Sequence, residues 1–403
     1  MLSAASACEK LQLPPKPNPA QVRKAHIEQA PDDSVERRNL LNIARGAAVV
    51  SRTAEMSLEN SALRTIDGDP TSDWFTPTGD TQQTITYSLA ARSRIVSVGV
   101  SSSPKFPAKT VLFETSLDGK QFTQLTSLPL DVRAGDQMIN VPPVEASYVR
   151  MTTAESYGVN LDLRVVHAQG AELEQPARRS IDGCWAINTF PAAFTERGAS
   201  AYGWFDQRER MWLQGGFDGR VWRFLWIRGP QFGLVALTMP PDSSHLSGLK
   251  WFEDADPYKI GDSLFGDRRE CAEPQSPGPD VLTTFLDRQH WAPLYGLRFD
   301  DANQLVVNES EAALKELAKL IATRPVRLVS REMRGATALA DRQVSQLRLN
   351  SLKVELTRRH VDLSRVTYAA LGRDQFRTAV WSEIMRTLQS AIEVEDNRAR
   401  GPQ

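Results

Sequence analysis

The densest set of hard oxygen donors in the chain is Ile66-Asp67-Gly68-Asp69-Pro70-Thr71-Ser72-Asp73-Trp74. Asp67, Asp69 and Ser72 fall within one tight loop. A hard divalent cation takes several oxygens from carboxylates, hydroxyls and backbone carbonyls, so these three side chains can converge on one ion. The same residues also suit a metal-free loop in which Asp67 caps backbone N–H groups. The three cysteines offer a second chemistry. Cys184 and Cys271 bracket a tryptophan-rich segment end to end. In an oxidising compartment they can form a disulfide worth about 4–5 kcal/mol in the chain-entropy model; the alternative is two buried thiols. Enzymatic constellations are absent: there is no His-Glu-x-x-His, Gly-x-Ser-x-Gly, P-loop or Cys-x-x-Cys pattern. The histidines, at positions 26, 167, 245, 290 and 360, are scattered without metal spacing. Glu253, Asp254 and Asp256 beside Trp251 read as a surface loop. The expected class is therefore a binding protein and not an enzyme.

Composition sets the frame for these residues. A chain of 403 residues predicts two to four domains. Its apolar fraction of 41% and net charge of -1 are ordinary for folded protein. No basic excess attracts nucleic acid or an anionic membrane surface. No apolar run is long enough for a spanning helix, and no intact signal peptide is visible. Residues 1–38 read as a tether, with Pro14-Pro15-Lys16-Pro17-Asn18-Pro19 favouring extended conformations. Ala5-Ser6-Ala7-Cys8 resembles the end of a bacterial lipobox, which implies a lipidated Cys8 as the sole membrane attachment. An ordinary N-terminus is the alternative.

Three organised regions follow. Within 39–170, the runs Thr84–Leu89, Ile95–Val100, Val111–Ser116 and Tyr148–Met151 have strand character, and Leu117-Asp118-Gly119-Lys120 is a hairpin turn. Short strands at regular spacing predict a β-sandwich. Within 181–272, which carries six of the nine tryptophans, Met211–Leu213, Val221–Ile227, Gly233–Met239 and Leu246–Trp251 predict an antiparallel meander that can close into a small barrel. Phe217–Arg220 and Pro241–Ser244 supply turns. Its aromatic stripe reads as core in preference to a ligand cavity. Residues 272–290 read as loop. Residues 291–396 alternate strands and helices: Ser310–Thr323 and Asp341–Arg359 have helical spacing, with Val344, Leu347, Leu352 and Leu356 as the apolar positions of the second. Val326–Val329, Val366–Ala369 and Ala391–Val394 are strands and Phe376–Leu388 a third helix. This alternation predicts an α/β layer.

The first region resembles the discoidin, or F5/8 type C, family. Asn42-Ile43-Ala44-Arg45-Gly46, the Asp67–Trp74 loop and the strands after Gln82 carry the resemblance. It implies a jelly-roll sandwich with a structural calcium held by the Arg64 carbonyl, Asp67, Asp69, Ser72, the Ala154 carbonyl and Glu155. Serine stands where the family commonly has threonine. It also implies recognition of a glycan or a protein by loops at one tip, with Trp74 and Phe75 as candidate platforms and Tyr157 and Asn160 in a later loop. The middle region, through Ile181–Trp185, Tyr202-Gly203-Trp204 and Gly215–Arg220, looks loosely like small lipocalin-like meanders. The last region resembles the OmpA C-terminal, peptidoglycan-associated family in Leu297-Arg298-Phe299, Val344-Ser345-Gln346-Leu347-Arg348 and His360–Val366. That family clasps a zwitterion with an arginine and an aspartate, the arginine taking the carboxylate as a fork. Arg348 keeps the arginine, but Met333 stands in the aspartate's place, leaving Glu332 or Asp341 to substitute. Together these resemblances imply a protein of the bacterial cell envelope that binds a glycan or envelope protein and, if the clasp survives, peptidoglycan. The alternatives are a structural subunit of an envelope assembly making protein contacts alone and, less favoured, a glycan-processing enzyme with its chemistry in the middle region.

Overall fold

The structure is a computed structural model that describes residues 38–133, 135–207, 209–252, 261–271, 278–332, 337–372, 384, 387–388 and 391–397. Cys8 and residues 1–37 of the tether, the acidic run Glu253–Asp256 and Met333 lie outside the described residues; Arg38, the tether's expected last residue, opens the first strand. Three β-rich bodies follow one another.

The first body is one eight-stranded sheet folded into a sandwich. Its strands are β1 (Arg38–Asn39), β2 (Ala48–Arg52), β3 (Trp74–Phe75), β4 (Thr84–Ser102), β5 (Ala108–Ser116), β6 (Thr123–Pro129), β7 (Gly135–Ser156) and β8 (Asp162–Glu172). The main order is β1-β8-β4-β7-β5-β6, with β2 on β4 and β3 on β8. Two expected strands, Thr84–Leu89 and Ile95–Val100, are one continuous strand. Between them the β4–β7 register slips from Ser88 to Ser93 and again from Ile95 to Ser97. Bulges of this kind bend a strand without ending it, so Ile85, Tyr87, Leu89, Ile95, Val98 and Val100 all reach the core. Pro142 and Pro143 fall in the second slip, where no ladder N–H is required. The Asp118 turn forms as expected: its carboxylate accepts from the Lys120 and Gln121 N–H groups at 2.8 and 2.9 Å. Those bonds hold it down at about 2.

The second body is a closed antiparallel barrel of eight strands: β9 (Gly183–Ile187), β10 (Phe190–Arg197), β11 (Ser200–Gln207), β12 (Glu209–Phe217), β13 (Trp222–Arg228), β14 (Gln231–Thr238), β15 (His245–Phe252) and β16 (Asp262–Arg269). Strand β16 pairs back to β9 and closes the ring. Closure removes the free edges of a sheet. The interior is filled: Trp185, Trp222, Trp226, Phe194, Phe205 and Phe224 are all buried in one apolar cluster. The aromatic stripe is core. Cys184 is bonded to Cys271, tying the start of β9 to the chain just past β16.

The third body is a four-stranded sheet of β17 (Trp291–Leu294), β18 (Val326–Arg331), β19 (Val366–Leu371) and β20 (Ile392–Asp396), ordered β17-β20-β18-β19. It carries helices α1 (Val281–Gln289), α2 (Val307–Thr323) and α3 (Ala338–Arg358). The loop expected over 272–290 is corrected at α1. Asp280 caps it, accepting from the Thr283 N–H at 2.9 Å, and Val281, Leu282, Phe285 and Leu286 form its buried face. The expected apolar stripe of α3 is also corrected. Leu352 and Leu356 are buried, but Leu347 is exposed, and Asp341, Ser345 and Leu349 complete the inward face. The predicted helix Phe376–Leu388 lies mostly outside the described residues; Ile384 and Leu388 are helical and buried. Among the described residues, no helix is long and apolar enough to cross a membrane.

The barrel is bonded to both neighbours. Arg179, buried in the connection from the sandwich, donates from Nη1 to the Gly46 carbonyl at 3.1 Å and also to the Met239 carbonyl. Its Nη2 donates to the Leu89 and Ala90 carbonyls at 3.0 and 2.6 Å. Arg220 bridges to Glu172, with one contact of 2.6 Å. On the other side, the Glu316 carboxylate of α2 accepts from the Tyr202 hydroxyl and from Gln214 at 2.6 Å. Gly216 and Gly296 meet backbone to backbone there: a Cβ on Gly216 would stand 2.2 Å from the Gly296 nitrogen, so only glycine permits the approach.

Candidate binding face and oxygen-rich loop of the sandwich

The loop Arg64–Ser72 is buried and tightly bonded. Ser72 Oγ lies 2.9 and 3.0 Å from the two Asp67 oxygens, 3.0 Å from the Asp69 carbonyl and 3.3 Å from the Arg64 carbonyl. One hydroxyl has a single proton to give. It is surrounded by four acceptor oxygens, more than that proton can satisfy. The Asp69 N–H donates to Asp67 at 2.9 Å, and the Asp69 carboxylate accepts from the Thr71 N–H and hydroxyl at 2.8 and 2.7 Å. The Asp69 contribution to the cluster is thus its carbonyl, its carboxylate being engaged with Thr71. Burial, with Asp69 beside it, pushes Asp67 up to about 7. The Arg64 guanidinium, 3.6 Å away, opposes that rise. Arg64 donates in turn to the Glu59 carbonyl at 2.8 Å and to the barrel's Gly261 carbonyl at 2.5 Å.

The fit to a hard cation is therefore partial. Arg64, Asp67, Asp69 and Ser72 are brought together with surplus oxygens, as the chemistry of calcium asks. Ala154 and Glu155 are not in this cluster. Strand β7 continues along β5 as far as Ser156, placing Glu155 opposite Thr110 on the ladder. Glu155 is exposed and pairs with Lys109 at 2.6 Å, and the Ala154 carbonyl accepts from Gln82 at 3.3 Å. Among the described residues, no group of three or more His, Cys, Asp or Glu side chains can hold a metal. Any ion here would rest on one carboxylate, a hydroxyl and backbone carbonyls.

Trp74 is corrected from platform to core. It is 0% exposed, and its indole N–H donates to the Ala54 carbonyl at 3.0 Å. The next residue, Phe75, is half-buried and tilts against Phe106 at 5.3 Å between centroids. Strand β3 pairs with the start of β8, setting Phe75 directly opposite Asp162. Side chains so paired on an antiparallel ladder are neighbours on one face. Asp162 is 4% exposed, and one of its carboxylate oxygens has no hydrogen-bond partner. Burial, then the Asp73 carboxylate nearby, push it up to about 6. Asp73 accepts from Asn60 at 2.7 Å, and the Lys105 ammonium lies 4.9 Å from the Phe106 ring centroid. Two aromatic rings, two carboxylates, an amide and an ammonium thus share one corner of the sandwich. Tyr157 is half-exposed, and its hydroxyl donates to the Leu130 carbonyl at 2.9 Å. Asn160 is buried, donating to the Thr76 carbonyl at 3.3 Å and Thr78 at 3.1 Å, and so holds the loop. Phe75 was the one site residue of this corner legible in advance. Asp162 and Phe106 were not, because only strand pairing brings them to it.

In the α/β body, Arg348 and Glu332 do meet. They form an ion pair, with Arg348 also donating to Asn303 at 3.0 Å and lying over Phe299 at 5.0 Å. Asp341 is fully buried in the first turn of α3, two turns before Arg348.

Residues 49–163 match the F5/8 type C domain family, and this segment of the chain is such a domain. Similar solved structures include a CBM32 module from Clostridium perfringens in complex with GalNAc-β-1,3-galactose, 18% identical, covering 32% of this chain and 99% of that one, TM-score 0.30. Another is the C-terminal domain of a chitobiase from Bacteroides fragilis, 19% identical over 32% of this chain and 96% of that one, TM-score 0.30. A third is a chitosan-binding module from Paenibacillus sp. IK-5 in complex with chitotriose, 18% identical over 32% of this chain and 100% of that one, TM-score 0.29. No curated protein matches the chain.

Proposed function

We propose that the F5/8 type C domain recognises a glycan at the Phe75–Phe106 corner, within a non-catalytic protein of the bacterial cell envelope. The observation that carries this reading is the buried, unpartnered oxygen of Asp162 opposite the half-exposed Phe75. A sugar ring offers C–H faces to aromatic rings and hydroxyl donors to carboxylates, and it completes a polar group that the fold leaves unfinished. The glycan-bound CBM32 and chitosan-binding modules agree with that chemistry in kind. A glycan array tests it. Binding that drops at least tenfold with Phe75→Ala or Asp162→Asn supports the reading; binding unaffected by both substitutions sinks it.

The oxygen-rich loop holds a structural calcium in this reading, through the Arg64 and Asp69 carbonyls, Asp67 and Ser72. The α/β body docks to the envelope, its strand-and-helix alternation supporting the OmpA-like resemblance. The Arg348–Glu332 pair favours docking on a protein partner over the cell wall, because the clasp's arginine already holds an acid of its own chain. A peptidoglycan pull-down separates the two. Retention lost with Arg348→Ala supports the cell wall; no retention supports the partner. Lipidation of Cys8 would supply the anchor, and mass spectrometry of the N-terminus of the exported protein tests it.

A further inference from the structure

The barrel carries a cavity that the sandwich reading does not use. It has a volume of about 340 Å³ and is bounded by strands β9, β10 and β11 and the chain just past β16. That volume sits at the small end of ligand pockets, roughly 300–1,000 Å³, and suits a short ligand. Trp185, Trp204, Pro191 and Ala186 give it apolar walls; Asp206 and Glu270 bring carboxylates. The Arg210 fork holds both Asp206 oxygens at 3.0 Å.

Trp204 is the informative residue. It is 7% exposed, and its indole N–H is buried without an acceptor. Buried indole N–H groups ordinarily find a partner, as those of Trp74, Trp185, Trp222 and Trp226 do here at 2.8–3.0 Å; among the described residues Trp251 is the other exception, and it does not line this cavity. What lies over the Trp204 ring is the Arg210 guanidinium, 4.3 Å from its centroid. This is the end of a long side chain; swinging it aside would uncover the indole and release both Asp206 oxygens together, at the cost of the Arg210–Asp206 pair and of no strand bond. Thr189 lines the same cavity at φ 75° in the two-residue turn between β9 and β10. Glycine is the residue of least strain at that position, and β-branched residues rarely occupy it. A side chain is thus retained at a strained site beside the cavity.

We infer that this cavity is a second saccharide-binding site, which takes a sugar ring against Trp204 with a ring oxygen or hydroxyl accepting from its N–H and other hydroxyls donating to Asp206 and Glu270. A sugar is the ligand class that both accepts and donates around a ring and also presents C–H faces to an indole. The site is independent of the Phe75–Phe106 corner.

The test is an NMR titration of the full chain, following indole N–H resonances with glucose, galactose, N-acetylglucosamine and N-acetylgalactosamine. Trp204→Phe identifies the Trp204 resonance. The expected result is a saturable shift of that resonance with one of these sugars. The shift persists in Phe75→Ala, which keeps this outcome separate from the fate of the sandwich site. It vanishes in Ala186→Leu, which fills the cavity from its wall and leaves the Trp204 resonance present. A Trp204 resonance unmoved by every sugar overturns the inference, as does a shift that survives Ala186→Leu unchanged.

Discussion

Truncating Arg179 to alanine should uncouple the sandwich from the barrel. The guanidinium donates to four backbone carbonyls, those of Gly46, Leu89, Ala90 and Met239. Three belong to the sandwich and one to the barrel, so this side chain ties the two across the junction that Arg64 and Arg220 also cross. Hydrogen bonds from a charged donor contribute roughly 1.5–3 kcal/mol each. Against that sum stands the cost of burying a cation that makes no carboxylate ion pair among the described residues, which is several kcal/mol. Burial indeed pulls the Arg179 pKa down to about 10. The alanine variant recovers that cost but leaves buried carbonyls unsatisfied. The net loss is therefore about 3–5 kcal/mol. Equilibrium urea unfolding measures it, with Arg179→Met separating lost packing from lost hydrogen bonds. Arg179→Ala should convert one transition into two, while Arg179→Met, lacking the same donors, should match it closely. A loss below about 1 kcal/mol, or methionine restoring full stability, would refute the carbonyl-clamp reasoning.

Other outcomes follow from single features. Millimolar calcium should raise the melting temperature of the full chain and a chelator should lower it again, with Asp67→Asn abolishing the response; a response equal in both proteins counts against the oxygen-rich loop. The stability contributed by Asp162 and Asp67 should fall as pH rises from about 4 to about 7. An unfolded aspartate titrates near 4, whereas Asp162 and Asp67 are pushed to about 6 and about 7 in the fold. Between those values the native chain binds more protons than the unfolded one, so the penalty is absent below pH 4 and complete above the folded values. Asp162→Asn should flatten the lower part of that slope in a series of denaturation midpoints. Reduction of Cys184–Cys271, whose loop spans 87 positions, should cost about 4–5 kcal/mol in the chain-entropy model, read as a lower urea midpoint.

The sequence made some of this legible, and physics explains which parts. Strands with local alternation and the Asp118 and Asp218 turns were readable, because a turn's hydrogen bonds lie within three residues of the acid that makes them. The joining of two runs into the single strand β4 was hidden by its bulges, which shift the apolar positions out of strict alternation. Helix α1 was hidden by the prolines before it, although Asp280 and the Val281/Phe285 spacing were available. Leu347 looked like core because it keeps helical spacing with Val344, yet the face that packs on the sheet passes through Ser345 and Leu349, and Ser345 finds the Leu371 carbonyl at 2.7 Å. In the site, Asp67, Asp69 and Ser72 were legible because one loop holds them. The Phe75–Asp162 pairing was not: the partners are far apart in the chain, and only the β3–β8 ladder makes them neighbours.

The filled barrel has a consequence for avidity. Most multidomain binders join their modules by flexible linkers, and the linker's length sets the effective concentration of the second site. Here Arg179 and Arg220 fasten the sandwich to one part of the barrel, while Glu316 fastens α2 to another. The separation between the Phe75–Phe106 corner and the α/β sheet is then a fixed length of protein. Two targets at that spacing would be gripped together with little further ordering cost, and two targets at any other spacing would be gripped one at a time. The barrel acts as a ruler.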